Sequence, residues 1–464
     1  MNAMLSLPKH PGSGEPDLEP KSKTMLDRRR IYIKKTTAQR NLMMNIKNLK
    51  AWLAALLLLI LFSCRTEEEV LRPTFAEGTT ESVNLWIKNQ MQKYYYWNTQ
   101  IPKNPDYSVP TPQFFKSLLA PEDRFSFAVN TKDPATYPRS VRGFYGFDYA
   151  VAAYAGQTFV VVKLVLDNSP AASAGLRRGM LITKINGTAV SASNAESLAA
   201  SMAGFNRLDL TVGNWENGMV AGEKKISVYY GFTFEQPVKA AVFERNGIKA
   251  GYLYITDFRD GMSAAIAGKM GELKAAGVGE LILDLRYNFG GSVASAAALC
   301  AMIPAGIKAE SPFIKYVGNK NGGTVNQTFA EQIAFDPSAP AFATLHANNL
   351  KLNRVFVLTT RSTASAAEIV INNLKPYLNV VQIGETTRGK DMAGFPVVDE
   401  GQPKKISWEL HPLIYKVYNI RGEGEYTKGI APAIQADEFS AFPVLPLGSE
   451  HETLLQKALQ QTGK

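Results

Sequence analysis

The second half of the chain alternates short apolar runs with stretches of helical periodicity. Residues 354–360 (RVFVLTT) are rich in β-branched side chains and predict a buried strand, whereas residues 364–374 place apolar side chains three and four positions apart, as in a helix. Pro376 ends that helix, and the apolar run 380–383 predicts another strand. The pattern therefore predicts a βαβ unit with parallel strands and a right-handed crossover.

Two chemically useful side chains follow the two strands of this unit. Ser365 comes after the first strand and Lys390 after the second, so both are expected at the carboxyl edge of one sheet, where α/β folds place their sites. A serine hydroxyl becomes a nucleophile when a base takes its proton, and a lysine amine is a base only when neutral. Burial favours the neutral amine, and lowering its pKa from about 10.4 to about 7 costs roughly 4 kcal/mol.

The same residues also fit a purely structural role. Ser365-Ala-Ala-Glu368 matches the capping box S-x-x-E before an apolar run, and a single lysine such as Lys390 is most often a solvated surface residue. The two interpretations remain open on this segment alone.

A third loop adds a different kind of group. Residues 280–286 (ELILDLR) predict another buried strand, followed by Tyr287-Asn288-Phe289-Gly290-Gly291 and a small-residue helix from Ser292. A glycine pair between strand and helix exposes backbone N–H groups, which can stabilise an oxyanion. The alternative is a tight turn without chemistry.

The segment 169–187 (SPAASAGLRRGMLITKING) is similar to PDZ domains. Such a domain binds an extended C-terminal peptide at a sheet edge and holds its carboxylate in a backbone nest. Tyr145, Gly146 and Phe147 fall where the resemblance places the carboxylate loop. The alternative is a PDZ module that only packs or regulates.

Three motifs together resemble the C-terminal processing, or tail-specific, serine peptidases. They are LILDLRYNFGG (281–291), TASAAE (363–368) and GETTRGK (384–390). The resemblance implies a multi-domain α/β protein: a crotonase- or ClpP-like peptidase domain, a PDZ domain and a small N-terminal helical domain. It makes Ser365 the nucleophile, Lys390 the general base and Glu368 an acidic neighbour, assigns the oxyanion to Gly291, Gly290 and Ala366, and implies no cofactor.

Two positions depart from the pattern of that family. Gly394 stands where many members have Gln, four residues after the lysine, and Ala433 stands where the late G-I-x-P-D segment has Asp. These departures keep a rival open, a non-catalytic peptide- or ligand-binding lipoprotein on a peptidase scaffold. An accessory role in peptide transport is also compatible with the sequence.

The beginning of the chain predicts export. Residues 51–62 (AWLAALLLLILF) are continuously apolar, too short to span a bilayer comfortably, and follow Lys47 and Lys50 as in a signal peptide. Leu61-Phe62-Ser63-Cys64 resembles a bacterial lipoprotein cleavage site, which predicts lipid attachment at Cys64 and a place in the cell envelope, on the outer membrane. The alternatives are a plain signal peptide or an uncleaved anchor. Residues 1–42 lack apolar periodicity, and translation is expected to begin at Met43 or Met44.

Charge and composition narrow the function classes. The net charge is +10, but residues 1–50 hold 11 Lys and Arg against 4 Asp and Glu, so the remainder is close to neutral and gives no case for nucleic-acid binding. Cys64 and Cys300 are the two cysteines, and lipidation of the first excludes an intramolecular disulfide. The four histidines show no metal-ligand spacing.

These observations divide the chain into segments. They predict a leader and signal peptide (1–63), an acidic tether (64–80), an N-terminal helical domain (81–135), a PDZ domain (140–235), a Ser-Lys peptidase domain (240–445) and a C-terminal tail helix (446–464). Residues 308–345 are expected to be an irregular insertion and residues 406–418 a strand. The expected partners are polypeptides with apolar C-termini and, through the lipid, a membrane.

Overall fold

The computed structural model describes residues 73–231, 238–245 and 247–464, and residues 74–464 form a single unit. The predicted signal peptide, Cys64 and most of the acidic tether lie outside the described residues. Within the described part of the chain, no helix has the length and apolar character needed to cross a bilayer.

An aromatic-rich helical segment comes first. Helix α1 (Thr80–Tyr94) begins where the Thr79 hydroxyl accepts the Ser82 N–H, and α2 (Thr111–Ser117) and strand β1 (Phe127–Asn130) follow. Ile87, Met91, Tyr95 and Phe114 are fully buried between these elements. The aromatic residues at the end of α1 therefore contribute to a core.

The PDZ-like segment is a six-stranded antiparallel sheet flanked by short helices. Its elements are α3 (Val141–Tyr145), β2 (Phe147–Tyr154), β3 (Gln157–Val165), α4 (Pro170–Ser173), β4 (Leu181–Ile185), β5 (Thr188–Ala189), α5 (Ala195–Ser201), β6 (Arg207–Glu216) and β7 (Met219–Tyr229). The sheet order is β2-β3-β4-β6-β7, with β5 paired to β4. Strand β2 thus lies at an edge, and its outer side pairs with no other described strand.

The remaining residues build a larger α/β domain. Its elements are β8 (Val238–Arg245), β9 (Ile248–Ile255), α6 (Ser263–Ala275), β10 (Glu280–Asp284), α7 (Val293–Cys300), β11 (Pro312–Val317), β12 (Thr324–Thr328), α8 (Phe329–Ile333), α9 (Phe342–His346), β13 (Arg354–Thr359), α10 (Ala366–Leu374), β14 (Asn379–Gly384), β15 (Met392–Ala393), β16 (Trp408–His411), β17 (Tyr415–Tyr418), β18 (Ile434–Gln435) and α11 (Thr453–Leu459).

The main sheet of this domain runs in the order β18-β14-β13-β10-β9-β8. All neighbours are parallel except the edge pair β8–β9. Every residue of α10 is buried, and its Ile369, Val370 and Leu374 join the core on one face of the sheet. Helix α11 covers the other face. The predicted parallel βαβ unit is confirmed, and β10, β13 and β14 end at one common edge.

Two local predictions were wrong. Residues 308–345 are not irregular, because β11 and β12 form an antiparallel hairpin and α8 and α9 follow it. Residues 406–418 form two short strands rather than one, and residues 412–414 separate them. Strand β16 pairs with β1, whereas β17 joins the sheet of β12, β11 and β15.

Candidate active site

Three loops converge at the carboxyl edge of the main sheet. They follow β10, β13 and β14 and carry the glycine pair, Ser365 and Lys390 respectively. The Ala364 N–H donates to the Asn288 carbonyl at 2.9 Å, and the Arg388 N–H donates to the Thr363 carbonyl at 2.9 Å. The middle loop is therefore bonded to both of its neighbours, and the three predicted catalytic loops form one site.

Ser365 occupies a strained backbone position at the start of α10. Its φ of 56° and ψ of −119° are unusual for a residue with a Cβ, and such conformations cost about 1–3 kcal/mol. A sharp, strained turn between strand and helix is also how other hydrolases expose a nucleophilic serine. The surrounding hydrogen bonds hold Ser365 in this conformation, half-exposed at the edge of the sheet.

Glu368 joins the serine loop to the lysine loop. Its buried carboxylate accepts the N–H groups of Ser365 and Lys390 on Oε2, both at 2.8 Å, and on Oε1 the Gly389 N–H at 2.7 Å and the Thr387 hydroxyl at 2.5 Å. Because both N–H groups bond to the same oxygen, the backbone nitrogens of Ser365 and Lys390 cannot be farther apart than the sum of the two 2.8 Å distances. One half of the capping box predicted for Ser365 and Glu368 is present, since the Glu368 carboxylate accepts the Ser365 N–H, and the same carboxylate also holds the Lys390 loop.

Burial has the largest effect on the pKa values of both Glu368 and Lys390. Burial raises the pKa of Glu368, and its four hydrogen bonds oppose that increase. Burial lowers the pKa of Lys390, whereas the charges of Asp123 and Glu368 act in the opposite direction. The Lys390 ammonium has no hydrogen-bond or ion-pair partner among the described residues, and it lies 5.6 Å from the centroid of the Phe125 ring. Such surroundings favour a neutral amine.

The glycine pair contacts the serine directly. A Cβ added to Gly290 would lie 2.6 Å from the Ser365 Cβ and 2.9 Å from the Ala366 nitrogen. The Gly290 N–H donates to the Asn288 side chain at 2.8 Å, so it is engaged within the loop. The Gly291 and Ala366 N–H groups have no acceptor among the described residues. These two amides are therefore the donors that this conformation leaves available for an oxyanion.

Of the PDZ residues singled out in the sequence, Tyr145 ends α3, Gly146 follows that helix and Phe147 begins the edge strand β2. The side chains of Tyr145 and Phe147 are fully buried, and the Tyr145 hydroxyl donates to the Phe205 carbonyl at 2.5 Å. The Gly146 N–H donates to Arg142 O and its carbonyl accepts the Leu166 N–H. A bound peptide could contact only the backbone of residues 145–147. The role of these residues in peptide binding stays a prediction.

The PDZ segment also contacts the glycine loop. An Arg142 Nη2 hydrogen donates to the Tyr287 carbonyl at 3.0 Å, and the guanidinium lies 4.5 Å from the Phe289 ring. Arg178 donates to the Tyr287 hydroxyl at 2.6 Å and pairs with Glu438 at 2.9 Å. The loop that precedes the predicted oxyanion donors is thus bonded to the PDZ segment.

The sequence did not identify Asp123, Arg124 and Phe125 as neighbours of the lysine, although it singled out Gly394 and offered His411 as a candidate for a wall of the site. The end of the N-terminal segment, Asp123-Arg124-Phe125, lies against the Lys390 loop, and His411 is close enough for the charge of Lys390 to lower its pKa, although burial is the larger cause. A Cβ on Gly394 would lie 2.1 Å from the Pro412 carbonyl oxygen, so a glutamine has no room there without a backbone shift. Long-range pairing brought these residues together, and no local pattern could have shown it.

An open, largely apolar pocket of about 440 Å³ adjoins the site. One wall continues from the glycine pair with Ser292, Val293 and Ala294, and another follows Lys390 with Ala393 and Gly394. Phe335 and Phe395, which are 67% and 43% exposed, lie at the same pocket. Among the described residues, no group of three or more His, Cys, Asp or Glu could hold a metal ion.

Comparisons with known proteins show which families the chain is similar to. Residues 249–436 match the model of peptidase family S41, residues 82–127 the S41 N-terminal domain and residues 135–213 the PDZ domain. The carboxy-terminal processing protease CtpA of Bacillus subtilis is 25% identical over 368 residues, covering 77% of this chain and 69% of that protein. The chain spans 44% to 55% of the length of the next three curated relatives.

Solved structures show the same architecture. A Bacteroides fragilis protein assigned to the S41 proteases is 27% identical, with a TM-score of 0.65, and the alignment covers 84% of this chain and 98% of that one. The photosystem II D1 C-terminal processing protease is 18% identical with a TM-score of 0.50, over 83% of this chain and 98% of that one, and shares the fold.

Proposed function

Because the chain belongs to peptidase family S41, whose members are serine peptidases, we propose that it is an exported endopeptidase that cleaves polypeptides through a Ser365–Lys390 dyad. The observation that carries this proposal is the shared hydrogen bonding of the Ser365 and Lys390 backbones to one oxygen of Glu368. It supports a nucleophile and a base held side by side.

The chemistry follows from the positions of the groups. Neutral Lys390 takes the hydroxyl proton as Ser365 Oγ bonds to the scissile carbonyl carbon, and the N–H groups of Gly291 and Ala366 donate to the resulting oxyanion. The C–N bond then breaks, Lys390 gives the proton to the leaving amine, and an acyl-enzyme remains. A water molecule, deprotonated by Lys390, hydrolyses the ester and restores Ser365. No step requires a cofactor.

Substrate selection is proposed to begin at the PDZ segment. The outer side of β2, which pairs with no other strand in the described part of the chain, supports addition of an extended peptide as a further strand, with apolar C-terminal tails as the preferred ligands. The apolar pocket lined by Val293, Ala393 and Phe395 supports an apolar side chain near the scissile bond. Lipid attachment at Cys64 would hold the enzyme on the outer membrane of a bacterial cell envelope, and loss of membrane association in Cys64→Ala is the result that tests it.

The test of the dyad uses a form that begins at Phe75 and an unstructured protein with an apolar C-terminus. Ser365→Ala and Lys390→Ala should each lose nearly all cleavage, because the pair acts as a unit. Ser440→Ala and Lys404→Ala, both at exposed positions, are the matched controls and should cleave normally. Equal cleavage by wild type and both dyad variants refutes the mechanism. Peptide binding without any cleavage by the wild type would favour the non-catalytic rival.

A further inference from the structure

The end of the N-terminal segment is bonded to the loop that carries Lys390. Arg124 Nη2 donates to the Gly389 carbonyl at 3.0 Å and to the Thr427 carbonyl at 2.9 Å. Gly389 and Thr427 are themselves in close contact, since a Cβ on Gly389 would lie 2.3 Å from the Thr427 oxygen. The Arg124 guanidinium therefore joins the residue directly before the proposed base to the neighbouring loop that contains Thr427.

Phe125 places an aromatic ring beside the lysine. The ring centroid lies 5.6 Å from Lys390 Nζ and 4.9 Å from the Arg124 guanidinium carbon. Its backbone is held because Asp123 Oδ1 accepts the N–H groups of Phe125 and Ser126, both at 2.9 Å. The Ser126 hydroxyl in turn accepts the Leu413 N–H at 2.9 Å. The backbone that carries the ring is thus held by hydrogen bonds at Phe125 and at Ser126.

Position 394, four residues after Lys390, offers no side chain that could position the lysine. Gly394 has no side chain, and the Pro412 carbonyl occupies the space that a Cβ would need. The side of Lys390 that faces the N-terminal segment is instead covered by Phe125.

We propose that Arg124 and Phe125 are positioning residues for Lys390, Arg124 by fixing its loop and Phe125 by excluding water from its amine. The peptidase site is then completed by the N-terminal segment. The inference rests on the proposed function only in treating Lys390 as the base.

The charged groups that face Lys390 come from several elements. Glu368 lies on α10, Asp123 on the N-terminal segment and His411 on β16, and both carboxylates raise the pKa of Lys390. Burial outweighs them and lowers it. Removing the Phe125 ring admits water, so the pKa should rise towards its ordinary value. The attraction between the ring face and the ammonium acts in the opposite sense, and a leucine, which excludes water without a ring, separates the two effects.

The experiment measures Lys390 directly, without relying on catalysis. The purified full chain is acetylated with acetic anhydride across neutral to alkaline pH, and acetylation of Lys390 is followed by mass spectrometry. Phe125→Ala should raise the titration midpoint by about one unit, which lowers the neutral fraction about tenfold at a given lower pH. Phe125→Leu should not raise the midpoint, because leucine still excludes water and lacks the ring attraction that favours the ammonium. Tyr137→Ala, at a 45% exposed aromatic position between β1 and α3, is the matched control and should titrate normally.

Arg124 is tested by hydrogen–deuterium exchange of peptides that cover residues 386–391. Exchange should become faster in Arg124→Ala and in Arg124→Lys, because a lysine cannot span both carbonyls in the same geometry. Unchanged exchange together with unchanged Lys390 titration in Phe125→Ala would overturn the inference, as would a shift in Phe125→Leu as large as that in Phe125→Ala.

A parallel reaction with a fluorophosphonate separates this inference from the proposed function. If wild-type Ser365 is not labelled while Lys390 responds as expected, the peptidase mechanism fails and the positioning roles stand. If Ser365 is labelled and the Lys390 titration never changes, the mechanism stands and the positioning roles fail.

Discussion

Replacing Glu368 with glutamine tests the connection between the two catalytic loops. The carboxylate accepts two hydrogen bonds on each oxygen. A glutamine has one carbonyl oxygen, and its NH2 group must face the other pair of donors in either orientation. Glu368→Gln therefore loses two hydrogen bonds to a charged acceptor. At about 1.5–3 kcal/mol each, the free energy of unfolding should fall by about 3–6 kcal/mol, a large share of the 5–15 kcal/mol typical of a domain.

The same change should slow catalysis. Loss of the anchor at Oε2 frees the Ser365 and Lys390 backbones, and a displacement of about 1 Å between reacting groups can cost about 100-fold. Urea unfolding gives the stability, and fluorophosphonate acylation of Ser365 gives the rate. Glu385→Gln is the matched control, since Glu385 pairs with an 85% exposed Arg361 side chain and such pairs contribute about 0–1 kcal/mol.

The reasoning fails if Glu368→Gln unfolds within about 1 kcal/mol of the wild type and is acylated at the same rate. Should that variant not be recovered folded, Thr387→Val removes a single donor to the carboxylate. It also deprives the Ile430 N–H of its acceptor, 2.7 Å away. A smaller loss of stability in the same direction is expected.

Three further results are expected. Cleavage should rise with pH through the lowered pKa of Lys390, which a pH–rate profile would show. Because the folded pKa of Lys390 lies below its unfolded value of 10.5, its contribution to the free energy of unfolding is present above pH 10.5 and is lost as pH falls through the folded pKa. Unfolding measured at several pH values checks this sign. Gly291→Ala should lower kcat about 100-fold or more, because the added Cβ would lie 2.0 Å from the Phe258 oxygen at a φ of 130° and would displace an oxyanion donor. The control Gly306→Ala should retain activity, since Gly306 also has a positive φ but no described atom lies within 4 Å of its added Cβ. Phe335→Ala should raise KM for peptides with a large apolar residue at the cleavage site by about 10-fold and leave peptides with small residues nearly unchanged, as steady-state kinetics would reveal.

The catalytic loops could be predicted because each depends on local patterns. The runs at 280–286, 354–360 and 380–383 became β10, β13 and β14 within one or two residues, and their parallel order fixes which ends meet. Short buried strands bounded by glycine, proline or polar residues carry their own signal. The placement of Ser365 and Lys390 at one edge follows from that signal alone.

The hairpin of β11 and β12 could not be predicted in the same way. Its second strand, Thr324–Thr328, is polar and largely exposed, so it lacks the apolar alternation that marks a strand. Residues 324–328 become a strand because they pair with β11, which is itself held in the sheet by β17 on its other side. Strand pairing over long sequence separations supplied what the local pattern lacked.

The amino-acid sequence by itself determined the order of strands and helices, the serine, the lysine and the glycines between them, because hydrophobic spacing and turn residues act over a few positions. Only the tertiary structure decided that Glu368 would join two loops and that Phe125 would cover an amine 265 positions away in the chain, at the place where Arg124 bonds Gly389. Such contacts depend on how separate elements pack, and packing is a property of the folded chain rather than of any segment within it.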